Sequence, residues 1–164
     1  MDNHPAEMEY FLKPGYIIVY QIPAVVYIVL GSCVAVSLWD KELKIGGLCH
    51  YQFPTPPKKT DPTARFGSVA IPKLYRMLLE EGARAEYIEA QIFGGADQPG
   101  SDMGNQNVEK ARELLDRMDL RVVSMDVGGE KGRKVVYHVH TNQALILKAN
   151  RIRSSDWFPY RDER

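Results

Sequence analysis

Cys33 and His50 are the residues of this 164-residue chain whose types and settings best fit nucleophilic chemistry. Cys33 follows a small corner, Gly31-Ser32, and His50 ends the segment Ile45-Gly46-Gly47-Leu48-Cys49-His50. A cysteine attacks as its thiolate, and a histidine brought within hydrogen-bond reach by the fold can accept and return the proton. The small corner would keep the sulfur accessible and aim backbone N–H groups at a developing oxyanion. The sequence therefore predicts a cysteine nucleophile with a histidine base.

The same residue types allow other interpretations. Cys33, Cys49, His50, His138 and His140 could in principle form a zinc site, although the closely paired ligands of structural zinc are absent. Cys33 and Cys49 could instead form a disulfide, which a reducing compartment disfavours. Because cysteine is among the residue types most often buried, Cys33 could also be a packing residue. These alternatives stay open at the level of sequence.

Composition narrows the class of protein. The 21 basic and 21 acidic residues balance, so the broad positive surface that binds nucleic acid is not expected. The longest apolar run, residues 22–30, is shorter than the roughly 20 residues that a membrane span needs, and we expect no direct membrane insertion. The N-terminus lacks the basic region of a signal peptide, which favours a cytoplasmic protein. No glycine-rich segment fits a phosphate-binding or dinucleotide-binding fingerprint, so we expect no nucleotide or flavin site.

Strand-forming sequence surrounds the two candidate residues. Segments rich in β-branched and aromatic residues predict strands over residues 16–21, 24–30, 33–39, 45–51, 86–93, 120–127, 134–140 and 144–148. His50 thus lies near a strand end. Residues 54–62 contain four prolines and predict a surface loop beside that strand.

Two helices are predicted between these strands. Ser68 is the expected N-cap of a helix that ends at Gly82, with Pro72 in its first turn, and a second helix runs from residue 105 or 107 to 119. Strands in consecutive runs with helices grouped between them predict an α+β domain, mainly antiparallel, with the helices packed against the sheet. We expect one domain over residues 1–164, with residues 1–13 and 151–164 as peripheral tails.

Several short motifs occur in a fixed order from about Gly15 to Lys148. They are Leu30-Gly31-Ser32-Cys33-Val34-Ala35-Val36, Asp40, Gly46-Gly47-Leu48 with His50, Pro54, Phe93-Gly94-Gly95-Ala96, Gly104 with Asn107, and Asp126-x-Gly128-Gly129-x-x-Gly132-Arg133. Each is weak alone, but together and in this order they resemble the CheD family of chemoreceptor glutamine deamidases.

The resemblance implies a fold, an activity and partners. The fold would be α+β with a β-sandwich core, related to that of deamidating bacterial toxins. The activity would be hydrolysis of the side-chain amide of glutamines on the cytoplasmic regions of chemotaxis receptors, without a cofactor. A further implied partner is a CheC-like phosphatase, which acts on the phosphorylated response regulator.

The resemblance also implies residue roles. Cys33 falls on the family's nucleophile and His50 on its base, while Tyr27 occupies the position of the family's catalytic threonine. Ser32 and Gly31, next to the nucleophile, are expected to contact the substrate. A second hypothesis of a different class stays open, in which the chain is a catalytically weak binding module that regulates a CheC-type phosphatase or another signalling protein.

Overall fold

The computed structural model of the chain describes residues 7–150, which fold into two β-sheets and two α-helices. The strands are β1 (Met8–Phe11), β2 (Ile17–Tyr20), β3 (Ala24–Leu30), β4 (Val34–Asp40), β5 (Ile45–Tyr51), β6 (Ile88–Gly94), β7 (Arg121–Val127), β8 (Gly132–His138) and β9 (Gln143–Ala149). The helices are α1 (Gly67–Glu80) and α2 (Met103–Arg117), and a short 3-10 turn spans Ala85–Tyr87. Within the described residues, neither helix has the length and apolar composition needed to cross a membrane.

The strands form a four-stranded and a five-stranded sheet. Their strand orders are β1-β3-β8-β9 and β2-β5-β4-β6-β7. Neighbouring strands in this part of the chain are antiparallel except for β1 with β3 and β6 with β7, which pair in parallel. The predicted α+β fold with mainly antiparallel sheets is therefore confirmed.

One hydrophobic core lies between the two sheets. Alternate side chains of a strand point to opposite faces, and the even-numbered residues of β3 meet inward-facing residues of the other sheet. The fully or nearly fully buried members are Leu12, Ala24, Val26, Ile28, Leu30, Ala35, Leu48, Phe93, Val135, Tyr137 and Val139. The β-sandwich that the resemblance implied is thus the centre of the fold.

A second core lies between the five-stranded sheet and the helices. The helices contribute Ala70, Ile71, Leu74, Leu78, Val108, Ala111, Leu114 and Leu115. Because both faces of the five-stranded sheet are covered, β4 and β5 are buried along nearly their whole length instead of alternating between buried and exposed residues. The strand that carries His50 therefore belongs to the middle layer of three.

The prediction that residues 1–13 form a peripheral tail is wrong for residues 8–12. β1 pairs with β3, Tyr10 packs against the core between the sheets, and Leu12 is buried. The reason is the apolar run Tyr10-Phe11-Leu12, whose burial offsets the entropy lost on ordering this part of the chain. The predicted tail at residues 151–164 lies outside the described residues, as do residues 1–6.

Helix α1 begins earlier than the sequence predicted. Its N-cap is Phe66, whose side chain makes no capping hydrogen bond, so the prediction of Ser68 as N-cap is wrong. The N–H groups of Gly67 and Ser68 donate instead to the carbonyls of Phe53 and Pro54, at 2.8 and 2.9 Å. The chain just after β5 thus caps the helix with its backbone, which no side-chain pattern could reveal.

The remaining boundaries differ from prediction by a few residues at most. Helix α2 begins at Met103 instead of residue 105 or 107, and β8 covers Gly132–His138 instead of residues 134–140. Helix α1 ends just before Gly82, whose φ of +102° is the left-handed conformation that commonly follows a helix. Residues 54–62 form the predicted loop after β5 and are largely exposed.

Candidate active site

Cys33 lies where the chain passes from one sheet to the other. β3 ends at Leu30 in the four-stranded sheet and β4 begins at Val34 in the five-stranded sheet, so residues 31–33 form the corner. The backbone carbonyls of all three corner residues accept hydrogen bonds. The donors are the N–H of Ala96 to Gly31 (2.9 Å), the side-chain Nδ2 of Asn107 to Ser32 (3.0 Å) and the N–H of Gly95 to Cys33 (2.9 Å).

Glycines allow the neighbouring elements to approach this corner closely. Gly94 has a φ of +104°, and a Cβ at this position would lie 2.3 Å from the Cys33 carbonyl oxygen. A Cβ on Gly104, in the first turn of α2, would lie 2.3 Å from the Ala96 carbonyl oxygen. Both distances are too short for any side chain. The two glycine positions therefore let β6 and α2 pack directly against the corner.

The two cysteines have different surroundings. Cys33 is partly exposed and packs beside the core between the sheets, whereas Cys49 is buried in the core under the helices. Burial raises the pKa of the Cys33 thiol to about 11 and that of Cys49 to about 12. Because the two side chains point to opposite faces of the five-stranded sheet and both thiols are free, the structure overturns the disulfide alternative.

The residues of the zinc alternative do not converge. His138 lies on the outer face of the four-stranded sheet, where its Nδ1 is 4.0 Å from the Glu7 carboxylate, and His140 follows in the turn after β8. Among residues 7–150, no three His, Cys, Asp or Glu side chains are close enough together to hold a metal ion. The fold brings only Cys33 and His50 of this set to one face of one sheet.

His50 points into the space between the sheets. Leu48 packs in that core while Cys49 and Tyr51 pack toward the helices, so alternation directs His50 to the side of Leu48. Its Nδ1 lies 2.9 Å from the carbonyl oxygen of Leu12. Since a carbonyl only accepts, Nδ1 carries the hydrogen and Nε2 keeps its lone pair. Burial lowers the pKa of His50 to about 4, which leaves the imidazole neutral at pH 7.

Cys33, just before β4, and His50, on β5, direct their side chains to the same face of the five-stranded sheet. His50 pairs directly with Ala35, and Cys33 precedes Ala35 by two residues, which directs both side chains to the same face. The structure therefore places a neutral imidazole, whose Nδ1 carries the hydrogen, on the same face as a partly exposed thiol.

Tyr27 is linked to His50 through the backbone of Leu12. The N–H of Leu12 donates to the Tyr27 carbonyl at 3.0 Å, while the Leu12 carbonyl accepts from His50 Nδ1. The Tyr27 ring stacks on Phe11 with 5.2 Å between centroids, and its hydroxyl donates to a Glu9 carboxylate oxygen at 3.3 Å. Alternation along β3 directs this ring to the face turned away from the other sheet. The connection from Tyr27 to the imidazole thus uses a main-chain group that any residue has.

Leu12 is the member of the site that sequence reasoning missed. Its contribution is a backbone carbonyl, which leaves no signature in residue type. The apolar triplet Tyr10-Phe11-Leu12 within a polar N-terminus was the available signal, because it indicates a short strand. Gly31 and Ser32 are partly exposed beside Cys33, and their contact with a substrate stays a prediction.

The motif at residues 126–133 contacts the turn at Gly94, which packs against the corner at residues 31–33. The Arg133 guanidinium is buried and donates to Asp126 Oδ1 and to the Gly128 carbonyl, both at 2.7 Å, and to the Gly94 carbonyl at 3.4 Å. Burial tends to raise the pKa of Asp126, but the hydrogen bonds from Arg133 and Lys148 outweigh it and lower that pKa. The motif therefore braces the turn at Gly94, which contacts the Cys33 carbonyl.

Comparison with known proteins agrees with these features. The family model "CheD chemotactic sensory transduction" matches residues 53–148. A protein of Anaeromyxobacter dehalogenans named "Probable chemoreceptor glutamine deamidase CheD 1" is 38% identical, over 83% of this chain and 82% of its own. A Geobacter sulfurreducens protein named "Probable chemoreceptor glutamine deamidase CheD 2" is 33% identical, over 91% of this chain and 95% of its own. The "Chemoreceptor glutamine deamidase CheD" of Thermotoga maritima is 34% identical, over 73% and 78%.

The family model begins after the two candidate catalytic residues, whereas the similarity to whole relatives includes them. An alignment that covers 91% of this chain leaves too few residues outside it to begin after Cys33. The similarity therefore extends from the corner that holds Cys33 through β5 with His50 to the motif at residues 126–133. Both the matched family segment and the near-complete coverage of relatives show that this chain belongs to the CheD family.

Proposed function

We propose that this protein deamidates glutamine side chains of chemotaxis receptors, with Cys33 as nucleophile and His50 as general base. The observation that carries the proposal is the neutral His50 imidazole, whose Nδ1–H is fixed by the Leu12 carbonyl, on the same sheet face as the partly exposed Cys33. The names of the relatives supply the substrate class. Receptors of this kind present their modifiable glutamines in the cytoplasm, where we expect the protein to act.

The protonation states favour proton transfer during attack instead of a preformed ion pair. Burial raises the pKa of Cys33 to about 11 and lowers that of His50 to about 4, so both groups are neutral at pH 7. A thiol of this kind becomes a nucleophile only when the adjacent base removes its proton as the bond to carbon forms. His50 would therefore be required for the chemical step.

The reaction proceeds in two halves. His50 Nε2 accepts the Cys33 proton while the sulfur bonds to the carboxamide carbon of glutamine. The tetrahedral adduct then collapses as the imidazolium returns the proton to nitrogen, the carbon–nitrogen bond breaks and ammonia leaves, giving a thioester. Neutral His50 next removes a proton from water, whose oxygen attacks the same carbon, and cleavage of the carbon–sulfur bond releases glutamate and the thiol.

The test is deamidation of purified receptor cytoplasmic fragments, followed by ammonia release and by the mass change of glutamine-containing peptides. We expect Cys33→Ala to abolish the reaction and His50→Gln to slow it by about 10² to 10⁴, the usual contribution of a general base. Cys49→Ala serves as the matched control, because Cys49 faces the helices and takes no part. Wild-type rates in the Cys33→Ala protein would overturn the assignment.

A second candidate is a binding module that regulates a CheC-like phosphatase without turnover of its own. The hydrogen bond from the Tyr27 hydroxyl to Glu9 favours it, because that hydroxyl then does not reproduce the role of the family threonine. Binding of the phosphatase by wild type and by Cys33→Ala alike, with no deamidation by either protein, would support this second function.

A further inference from the structure

Asn107 connects the two strand ends on which the candidate catalytic residues lie. The side chain is fully buried on helix α2, and its Nδ2 donates to the carbonyl of Ser32 at 3.0 Å and to the carbonyl of Gln52 at 2.8 Å. Ser32 directly precedes Cys33, and Gln52 follows His50 by two residues. One carboxamide thus holds a main-chain group next to the nucleophile and another next to the base.

This amide acts where the β-ladder ends. The last pair of β4 with β5 is Val34 with Tyr51, so Cys33 and Gln52 lie just beyond the paired residues. Past a ladder's end, nothing in the sheet itself fixes the separation of the two chains. The two hydrogens of one –NH₂ group can bridge two carbonyl acceptors. A carboxylate cannot, because it has no hydrogen to donate, and a hydroxyl cannot, because it has only one.

Asn107 is itself held in place. The Tyr51 hydroxyl donates to the Asn107 carbonyl at 2.5 Å, which ties helix α2 to strand β5. By contrast, Oδ1 of Asn107 is buried and has no hydrogen-bond partner among the described residues. A buried acceptor without a partner costs stability, and an apolar side chain would fill the same space without that cost. The two donated hydrogen bonds are therefore what this side chain provides.

We propose that Asn107 is a positioning residue for the proposed deamidation, holding the Cys33 corner in register with the His50 end of β5. The inference rests on the proposed function, since it concerns the geometry of that nucleophile and base. Asn107 acts through the carbonyls of Ser32 and Gln52 and does not itself react. Displacements of about 1 Å between reacting groups can lower a rate about 100-fold, so a loosened corner would reduce catalysis while the fold persists.

The experiment uses the full chain and two readouts. Asn107→Asp keeps the size of the side chain but presents an oxygen to both carbonyls, and Asn105→Asp, an exposed position on the same helix, is the matched control. The first readout is kcat and KM for receptor deamidation. The second is the pH dependence of Cys33 alkylation by iodoacetamide, followed by peptide mapping, which needs no glutamine substrate.

We expect Asn107→Asp to lower kcat by about 10- to 100-fold with little change in KM. The pH dependence of Cys33 alkylation in Asn107→Asp should match that in His50→Gln, in which base assistance is lost. The double variant Asn107→Asp/His50→Gln should deamidate no more slowly than His50→Gln alone. Asn107→Ala, which removes the donors without adding charge, carries the same expectation and replaces the aspartate variant if that variant does not fold.

The outcomes separate this inference from the proposed function. If His50→Gln leaves Cys33 alkylation unchanged, the nucleophile–base pair fails and the positioning role fails with it. If His50→Gln changes the alkylation profile but folded Asn107→Asp or Asn107→Ala behaves like Asn105→Asp, the positioning role alone is overturned. Additive losses in the double variant would likewise assign Asn107 a purely structural role.

Discussion

At the scale of single residues, the imidazole of His50 is oriented by a backbone carbonyl. The Leu12 carbonyl fixes the Nδ1–H tautomer of His50, and the Leu12 N–H is in turn held by the Tyr27 carbonyl. The Nδ1–H of a histidine is commonly oriented by a hydrogen bond to a carboxylate or to a backbone carbonyl. Here the acceptor is a carbonyl, which any residue could supply. The link from position 27 to the imidazole therefore does not depend on the type of side chain at that position.

The role of Tyr27 can be tested by removing only its hydroxyl. We expect Tyr27→Phe to change kcat/KM by less than about threefold, because the ring faces away from the space between the sheets and the main-chain link through Leu12 stays intact. Stacking on Phe11 is retained in this variant. The measurement is receptor deamidation at pH 7 beside Tyr27→Thr, which places a hydroxyl close to the backbone. A severe loss in Tyr27→Phe, rescued by Tyr27→Thr, would mean that the hydroxyl itself takes part.

At the scale of elements, the site is a corner held from three sides. β6 approaches through Gly94 and Gly95, α2 approaches through Asn107, and β5 lies alongside with His50. The corner exists because the chain changes sheets between β3 and β4, so Cys33 lies at the end of a ladder instead of within one. Cys49, inside a central strand, is buried, whereas Cys33, at the corner between the sheets, is partly exposed.

The close approach at Gly94 predicts a position-specific effect of adding one methyl group. We expect Gly94→Ala to lose about 1–3 kcal/mol more stability than Gly100→Ala and to lower kcat by about tenfold or more. Both glycines have positive φ values, +104° at Gly94 and +73° at Gly100. A Cβ at Gly94 would meet the Cys33 carbonyl, whereas a Cβ at Gly100 would meet nothing within 4 Å. Urea unfolding and deamidation kinetics of the two variants provide the comparison. Equal losses would assign the effect to backbone strain alone.

At the scale of the whole molecule, burial keeps the His50 imidazole neutral. For the same reason, the free energy of unfolding depends on pH. The folded-state pKa is about 4, against 6.5 for an ordinary histidine. Between these values the unfolded chain takes up a proton that the folded protein does not, so the free energy of unfolding falls as pH decreases from 6.5 to 4. Above pH 6.5 His50 contributes no such dependence, because both states are neutral.

This pH dependence can be isolated by substitution. Two and a half units of pKa correspond to about 3 kcal/mol, so wild type should lose about that much more stability than His50→Gln between pH 7 and pH 4. Glutamine is neutral throughout and retains a side-chain N–H for the Leu12 carbonyl. The measurement is urea unfolding of both proteins across this range. Parallel curves would show that His50 titrates normally in the folded protein and would contradict its burial as a neutral base.

The sequence by itself determined the strand-rich order of elements, and it predicted Cys33 and His50 as the reactive residues. Residues 24–30 and 45–51 were predicted with the observed bounds, because both segments are mostly apolar and are flanked by turn-forming residues. Cys33 and His50 could be proposed because thiol and imidazole chemistry belongs to residue type. Family membership followed from short motifs in a fixed order.

Only the tertiary structure decided how these residues meet and what supports them. The Leu12 carbonyl, the backbone cap of α1 and the two carbonyls bridged by Asn107 are main-chain groups, which every residue carries and no sequence pattern marks. The pKa values of Cys33 and His50 likewise depend on burial, which is set by packing from distant parts of the chain. Residue type fixes which chemistry is available, whereas the positions of backbone groups and the exclusion of water depend on the complete fold.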